Sequence, residues 1–160
     1  MPTGAVIQTV RGYLDTRPSF TANQNSWFPT GLDASITPSS SSSKILVMCY
    51  WAWKVDNTAA DSNFRLQYND NGGSYAAVNP PASLASGDSA AYSGNLRGTG
   101  EYEGAAESLV VLHSPSSSNA FIYRLEVTTE ANLQMNRGRQ SGAARLGNVT
   151  SEIILQEIAG

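Results

Sequence analysis

The only histidine of the chain, His113, is followed at once by Ser114, and these are the residue types of an activated-serine pair. A serine nucleophile needs its base within hydrogen-bond reach. Neighbours on a strand point to opposite faces, so this pair cannot act together without a special turn. His113 ends the apolar run ESLVVLH (107–113) and reads as a structural histidine. Glu101 and Glu103 have the residue types of a glycosidase acid pair, which must face each other across about 5–9 Å. Gly98, Gly100 and Gly104 surround them, which favours solvated loop carboxylates. Asn69-Asp70-Asn71 resembles part of a calcium loop but lacks the downstream bidentate glutamate, and a hairpin turn explains it more simply. A zinc site needs several His or Cys ligands, and one of each is present. Cys49 lies in an apolar run and reads as a buried small hydrophobe with no disulfide partner. No enzymatic activity, metal or cofactor is expected.

Binding chemistry has more to work with. Arg137, Arg139 and Arg145 form the only local basic cluster and are candidates to contact a phosphate, a sulfated glycan or an acidic patch on a partner. They can equally be solvated loop arginines or pair with the glutamates at 101–107. Trp27, Tyr50, Trp51, Trp53 and Tyr68 have rings able to stack on sugars. Trp51 and Trp53 sit in the most apolar segment, where core packing is the stronger reading, and Trp27 lies between turn signals. The net charge of −3 argues against a dedicated nucleic-acid binder. Charged residues are 14% of the chain, against about 25% in ordinary soluble domains. Their place is taken by Ser, Thr, Asn, Gly and Ala, a neutral, hydrogen-bonding surface suited to an extracellular or virion coat. No apolar run approaches the roughly 20 residues of a membrane helix. The first residues, MPTGAVIQTVRGYL, lack the pattern of a signal peptide, so synthesis in the cytoplasm is expected.

The elements that must hold these residues are strands. Residues 5–14 alternate loosely and form a first strand. Residues 26–28 (SWF) form a short aromatic strand closed by Pro29. In the next strand Leu32, Ala34 and Ile36 alternate with Asp33 and Ser35, the period of a half-buried strand. Pro38, followed by five serines, ends it. Lys44 then opens the run 45–53. Ile45, Val47, Cys49, Trp51 and Trp53 share one face, and Leu46, Met48, Tyr50 and Ala52 the other. Both faces want to be out of water, which places the strand deep in a sandwich or closes one face with a neighbouring subunit. Further strands are expected at 64–68, with a hairpin through Asn-Asp-Asn-Gly-Gly to 74–78, and at 107–113, 120–129, 133–136 and 151–158. Residues 82–104 and 137–147 read as loops. The expectation is one all-β domain over 1–160, a jelly-roll-like antiparallel β-sandwich of about eight strands, with about 70% of its unfolded surface buried.

Three segments in order, 30–47 (TGLDASITPSSSSSKILV), 114–124 (SPSSSNAFIYR) and 151–158 (SEIILQEI), cover about a quarter of the chain. Together they resemble a group of small bacteriophage virion proteins, found as capsid decoration (cement) proteins and tail-fibre heads. The resemblance implies a jelly-roll-like sandwich, a homotrimer and no enzymatic chemistry. The stretch 56–104 departs from the family pattern, being longer and richer in glycine. On this reading the protein sits on the capsid surface, with itself and the major capsid protein as partners and neither nucleic acid nor membrane among them. Leu46, Met48 and Tyr50 are then candidates for the subunit interface, and Arg137, Arg139 and Arg145 for partner contact. The alternative is a tail-fibre or appendage head that binds a host-surface glycan through the loops 79–104 and 137–147.

Overall fold

The structure, a computed structural model, describes residues 2–55, 61–78, 104–137, 140–141, 144–145 and 149–160. Glu101 and Glu103 lie outside them. Among the described residues twelve strands follow in order. They are β1 (Val6–Leu14), β2 (Ser19–Phe20), β3 (Asn23–Ile36), β4 (Lys44–Val55), β5 (Ser62–Asp70), β6 (Tyr75–Ala77), β7 (Gly104–His113), β8 (Phe121–Thr129), β9 (Leu133–Met135), β10 (Gln140–Ser141), β11 (Ala144–Arg145) and β12 (Ser151–Ile158).

Eight of these strands build two antiparallel sheets. In the first the order is β1, β12, β4, β7, and in the second β3, β8, β5, β6. Counted along the chain these orders are 1-8-3-6 and 2-7-4-5, so the fold is a jelly roll of two interlocked Greek keys. Short β9 prolongs the line of β12 along β4, and β2 prolongs that of β1. The C-terminal strand lies inside the first sheet, between β1 and β4.

The alternating residues of both sheets meet in one core. Ile45, Val47, Cys49, Trp51 and Trp53 of β4 pack with Phe64 and Leu66 of β5, and with Phe121, Tyr123, Leu125 and Val127 of β8. The Phe64 ring stands 5.3 Å from Trp51 and 6.0 Å from Trp53. Cys49 is fully enclosed, and burial pushes its thiol up to about 12, so it is inert at neutral pH. His113 faces this core as well. Its Nδ1 is 2.8 Å from the Tyr123 hydroxyl and its ring 4.4 Å from that of Tyr68. Burial lowers the pKa of His113, so the imidazole is held neutral.

Several expected boundaries differ from the structure. Residues 26–28 and 30–36 are not two strands but parts of the 14-residue β3. Pro29 sits within it opposite Glu126 and is tolerated because β3 is the edge of its sheet, where a missing N–H costs no ladder bond. The register slips on both sides of the proline, and Gly31 takes a positive φ of 82° that a side chain would resist. Gly12 has a different constraint: a Cβ there would stand 1.9 Å from the Asp33 carbonyl oxygen, so only glycine lets β1 approach β3. The region 137–147 is not plain loop, since β10 and β11 form a small hairpin in it. The Asn-Asp-Asn-Gly-Gly turn is a hairpin as expected. Asn71 and Gly72 both adopt positive φ, and the Asn69 carboxamide oxygen accepts from the Gly72 N–H at 2.7 Å.

The serine run has a definite structural use. Glu157, fully enclosed on β12, accepts from the Ser39 N–H at 2.7 Å, the Ser39 hydroxyl at 2.6 Å and the Ser43 hydroxyl at 2.7 Å. The Gln8 amide donates to its other oxygen at 2.7 Å. One carboxylate thus clips the β3–β4 turn, β1 and β12 together. Burial pushes the acid up, and the hydrogen bonds from Ser39, Ser43 and Gln8 outweigh it and hold it at about 2.

Candidate functional site

The two sandwich faces that point away from the core differ in chemistry. On the first sheet the ladder places Met48 beside Ile154 of β12 and Val110 of β7, and Leu46 beside Gln156 and Leu112. Tyr50 lies beside Glu152 and Ser108. Residues opposite one another in a ladder share a face, so Leu46, Met48, Tyr50, Val110, Leu112 and Ile154 form one apolar surface over three adjacent strands. Tyr50 is 45% exposed, Val110 61% and Leu112 46%. Leu46, Met48 and Ile154 are half-buried by these neighbours. The rim is polar, with Arg11 of β1 paired to Glu152 at 3.5 Å. Beyond Tyr50 the surface continues into a shallow groove lined by Ala106, Val149 and Thr150.

The outward face of the second sheet closes over itself. Glu126 of β8 points away from the core yet is only 1% exposed. Arg65 donates to its Oε2 through Nε at 2.7 Å and through Nη2 at 2.6 Å, and Arg124 binds its Oε1. Each guanidinium is capped by an aromatic ring, Arg65 by Trp27 at 4.3 Å and Arg124 by Tyr75 at 3.3 Å. Such stacks screen the charges from water. The alternation that puts Glu126 and Thr128 on the outer face was readable from sequence. Their burial was not, because the covering side chains come from β3, β5 and β6.

The expected interface residues Leu46, Met48 and Tyr50 therefore stand together at the centre of an apolar face. Val110, Leu112 and Ile154 belong to the same surface. Sequence reading had assigned their strands without joining them across the ladder, and the alternation in 107–113 and 151–158 was the available signal. Of the three arginines, Arg137 donates to the Gln134 side-chain oxygen. Arg139 lies outside the described residues, and of Arg145 the backbone in β11 alone is described. Trp51 and Trp53 are in the core, whereas Trp27 is half-buried at the surface. Among the described residues, no group of three or more His, Cys, Asp or Glu side chains is placed to hold a metal ion. Among the same residues, no helix is long and apolar enough to cross a membrane.

Fold and site together define a jelly-roll sandwich with one outer face built around a covered ion group and the other apolar. No protein-family model matches the sequence, and no curated protein matches it. Among solved structures, a chain in the structure of the infectious bursal disease virus Gt strain superposes with a TM-score of 0.52 at 10% identity. The match covers 99% of this chain and 39% of the viral one. A chain of the Gx strain of the same virus gives a TM-score of 0.44 at 7% identity, covering 97% of this chain and 37% of that one. The chain thus spans well under half the length of the viral chains it matches. At such low identity the Gt-strain likeness shows the fold alone.

Proposed function

We propose that this protein is a non-enzymatic virion structural protein, a bacteriophage capsid decoration (cement) protein. Three copies pack through the outer face of the first sheet, and the trimer seats on the major capsid protein and stabilises the shell. The observation that carries this reading is the contiguous apolar surface of Leu46, Met48, Tyr50, Val110, Leu112 and Ile154 across three adjacent strands. Contiguous exposed apolar surface with a polar rim marks an interaction site, and closed rotational symmetry lets one such surface serve every copy. The jelly-roll fold, shared with a chain of a virus structure, supports a place in a virion. Among the described residues, several chemistry-bearing groups have structural duties. His113 is spent on the Tyr123 hydroxyl, Glu126 on two arginines and Glu157 on the serine turn. Arg137, Arg139 and Arg145 are proposed as contacts to the partner shell.

The test is binding of the purified protein to capsids that lack it. Saturation at a fixed copy number with a rise in capsid heat tolerance is the expected result. Indifference to capsids, with adhesion to host cells, would overturn it in favour of an appendage head. That second reading is favoured by one observation of its own, the surroundings of Trp27.

A further inference from the structure

β3 leaves the ladder between Asn23 and Phe28, where five steps on β3 face two on β8. The bulge opens a shallow groove at one end of the second sheet, walled by Trp27 and Gln24 of β3, Asp61 and Asn63 beside and on β5, and Thr128 and Glu130 from β8 and its exit. A second shallow groove adjoins it and shares Gln24 and Glu130, with Asn23 and Asn25 on its far side. The first holds about 170 Å³, below the roughly 300–1,000 Å³ of sites for drug-sized ligands, and suits one small polar ring.

We propose that this groove is a binding subsite for a neutral sugar ring of an oligosaccharide, with the adjoining groove taking the next unit. A pyranose carries an apolar C–H face and a girdle of hydroxyls that act as both donor and acceptor. The half-buried indole of Trp27 supplies a flat apolar wall for the first. The carboxamides of Gln24 and Asn63, which make no side-chain hydrogen bond among the described residues, supply paired donor and acceptor atoms for the second. Asp61 and Glu130 flank the groove and disfavour anionic sugars by like-charge repulsion. The indole is also held in place beforehand: Arg65 stacks on it at 4.3 Å and is itself fixed by Glu126 at 2.6 Å. A platform locked by a second layer of contacts loses little freedom when ligand arrives. The inference does not rest on a capsid location, and it places recognition on β3, β5 and β8, away from 79–104 and 137–147.

The experiment follows the indole N–H resonances of the full-length protein in proton–nitrogen correlation spectra. The probes are the methyl glycosides of glucose, galactose, mannose and N-acetylglucosamine, with N-acetylneuraminic acid as the anionic comparison. The expected result is a saturable shift of the Trp27 resonance with at least one neutral glycoside, while those of Trp51 and Trp53 stay still. Asn63→Ala and separately Gln24→Ala, which leave the aromatic packing and the Trp27 resonance intact, should each weaken that binding by about tenfold or more. No shift with any neutral glycoside at tens of millimolar would overturn the proposal. So would unchanged affinity in both Asn63→Ala and Gln24→Ala, or tighter binding of the anionic sugar. The mass of the free protein reports separately on the packing of copies, so the two readings fail independently.

Discussion

The outer faces of the two sheets solve the same problem in opposite ways. Each sheet has a buried inner face and must do something with its other side. The second sheet lays Arg65, Glu126 and Arg124 across its strands and covers them with Trp27 and Tyr75, so the charges of this group are paired within the chain. The first sheet sets aliphatic and aromatic side chains side by side and leaves Tyr50, Val110 and Leu112 about half exposed. A network that satisfies itself gains little from a partner, whereas an apolar ladder gains from any matched surface that removes it from water. That asymmetry, more than any single residue, is the basis for proposing the first sheet as the side that meets another protein.

The sharpest way to break the comparison is to open the sealed face. Glu126→Gln leaves two arginines without their shared carboxylate and should cost about 3 kcal/mol, read as a lower denaturant midpoint. A loss below about 0.5 kcal/mol would mean the second face is no more self-contained than the first. Glu157→Gln should cost about 2 kcal/mol, since a buried carboxylate with four donors loses its charge-assisted bonds. The same variant tests a pH dependence. Glu157 is depressed to about 2 from its ordinary 4.5. Its stabilisation is therefore complete above pH 4.5 and drains away as pH falls toward 2. Unfolding midpoints measured across that window should fall steeply in the native chain and less in Glu157→Gln.

His113 gives a smaller effect at higher pH. Its folded pKa is lowered by burial, so the unfolded chain takes up the proton first and stability declines as pH drops through the ordinary value of 6.5. His113→Phe should remove this step and leave the Glu157 step untouched. The smallest expected effect is at Cys49, where a thiol pushed up to about 12 in the core should not react with a thiol reagent until the protein unfolds. Reaction at the native rate of a free thiol would show that the centre of β4 opens.

Much of the fold was legible in the sequence because alternation is strong where one face is buried. The face assignment of 45–53 carries straight through to Ile45, Val47 and Cys49 in the core, and the alternation within 64–68 and 120–129 likewise puts Phe64 and Tyr123 there. What resisted reading was everything that depends on a partner strand. Pro29 looked like a terminator because a proline breaks a central ladder, and whether a strand lies at an edge is a property of the sheet. The serines at 39–43 looked like a plain turn because the acid that organises them, Glu157, lies more than a hundred positions away. Leu46, Met48 and Tyr50 were visible as a candidate contact face, since a run apolar on both sides has to be explained. The extension to Val110, Leu112 and Ile154 needed the register. Trp27 was ambiguous for the same reason as Pro29, because the bulge that exposes it is set by pairing with β8.

The most direct test of the central claim is the mass of the protein in solution by light scattering, for the native chain and for Met48→Glu combined with Tyr50→Glu. The native chain should run as three copies. The double variant should run as one, with an unchanged circular dichroism spectrum and an unfolding midpoint that, unlike the native chain's, does not depend on protein concentration. A native chain that is monomeric, or a double variant that keeps its three-copy mass, would contradict the assignment of the first sheet's outer face as the surface on which copies meet.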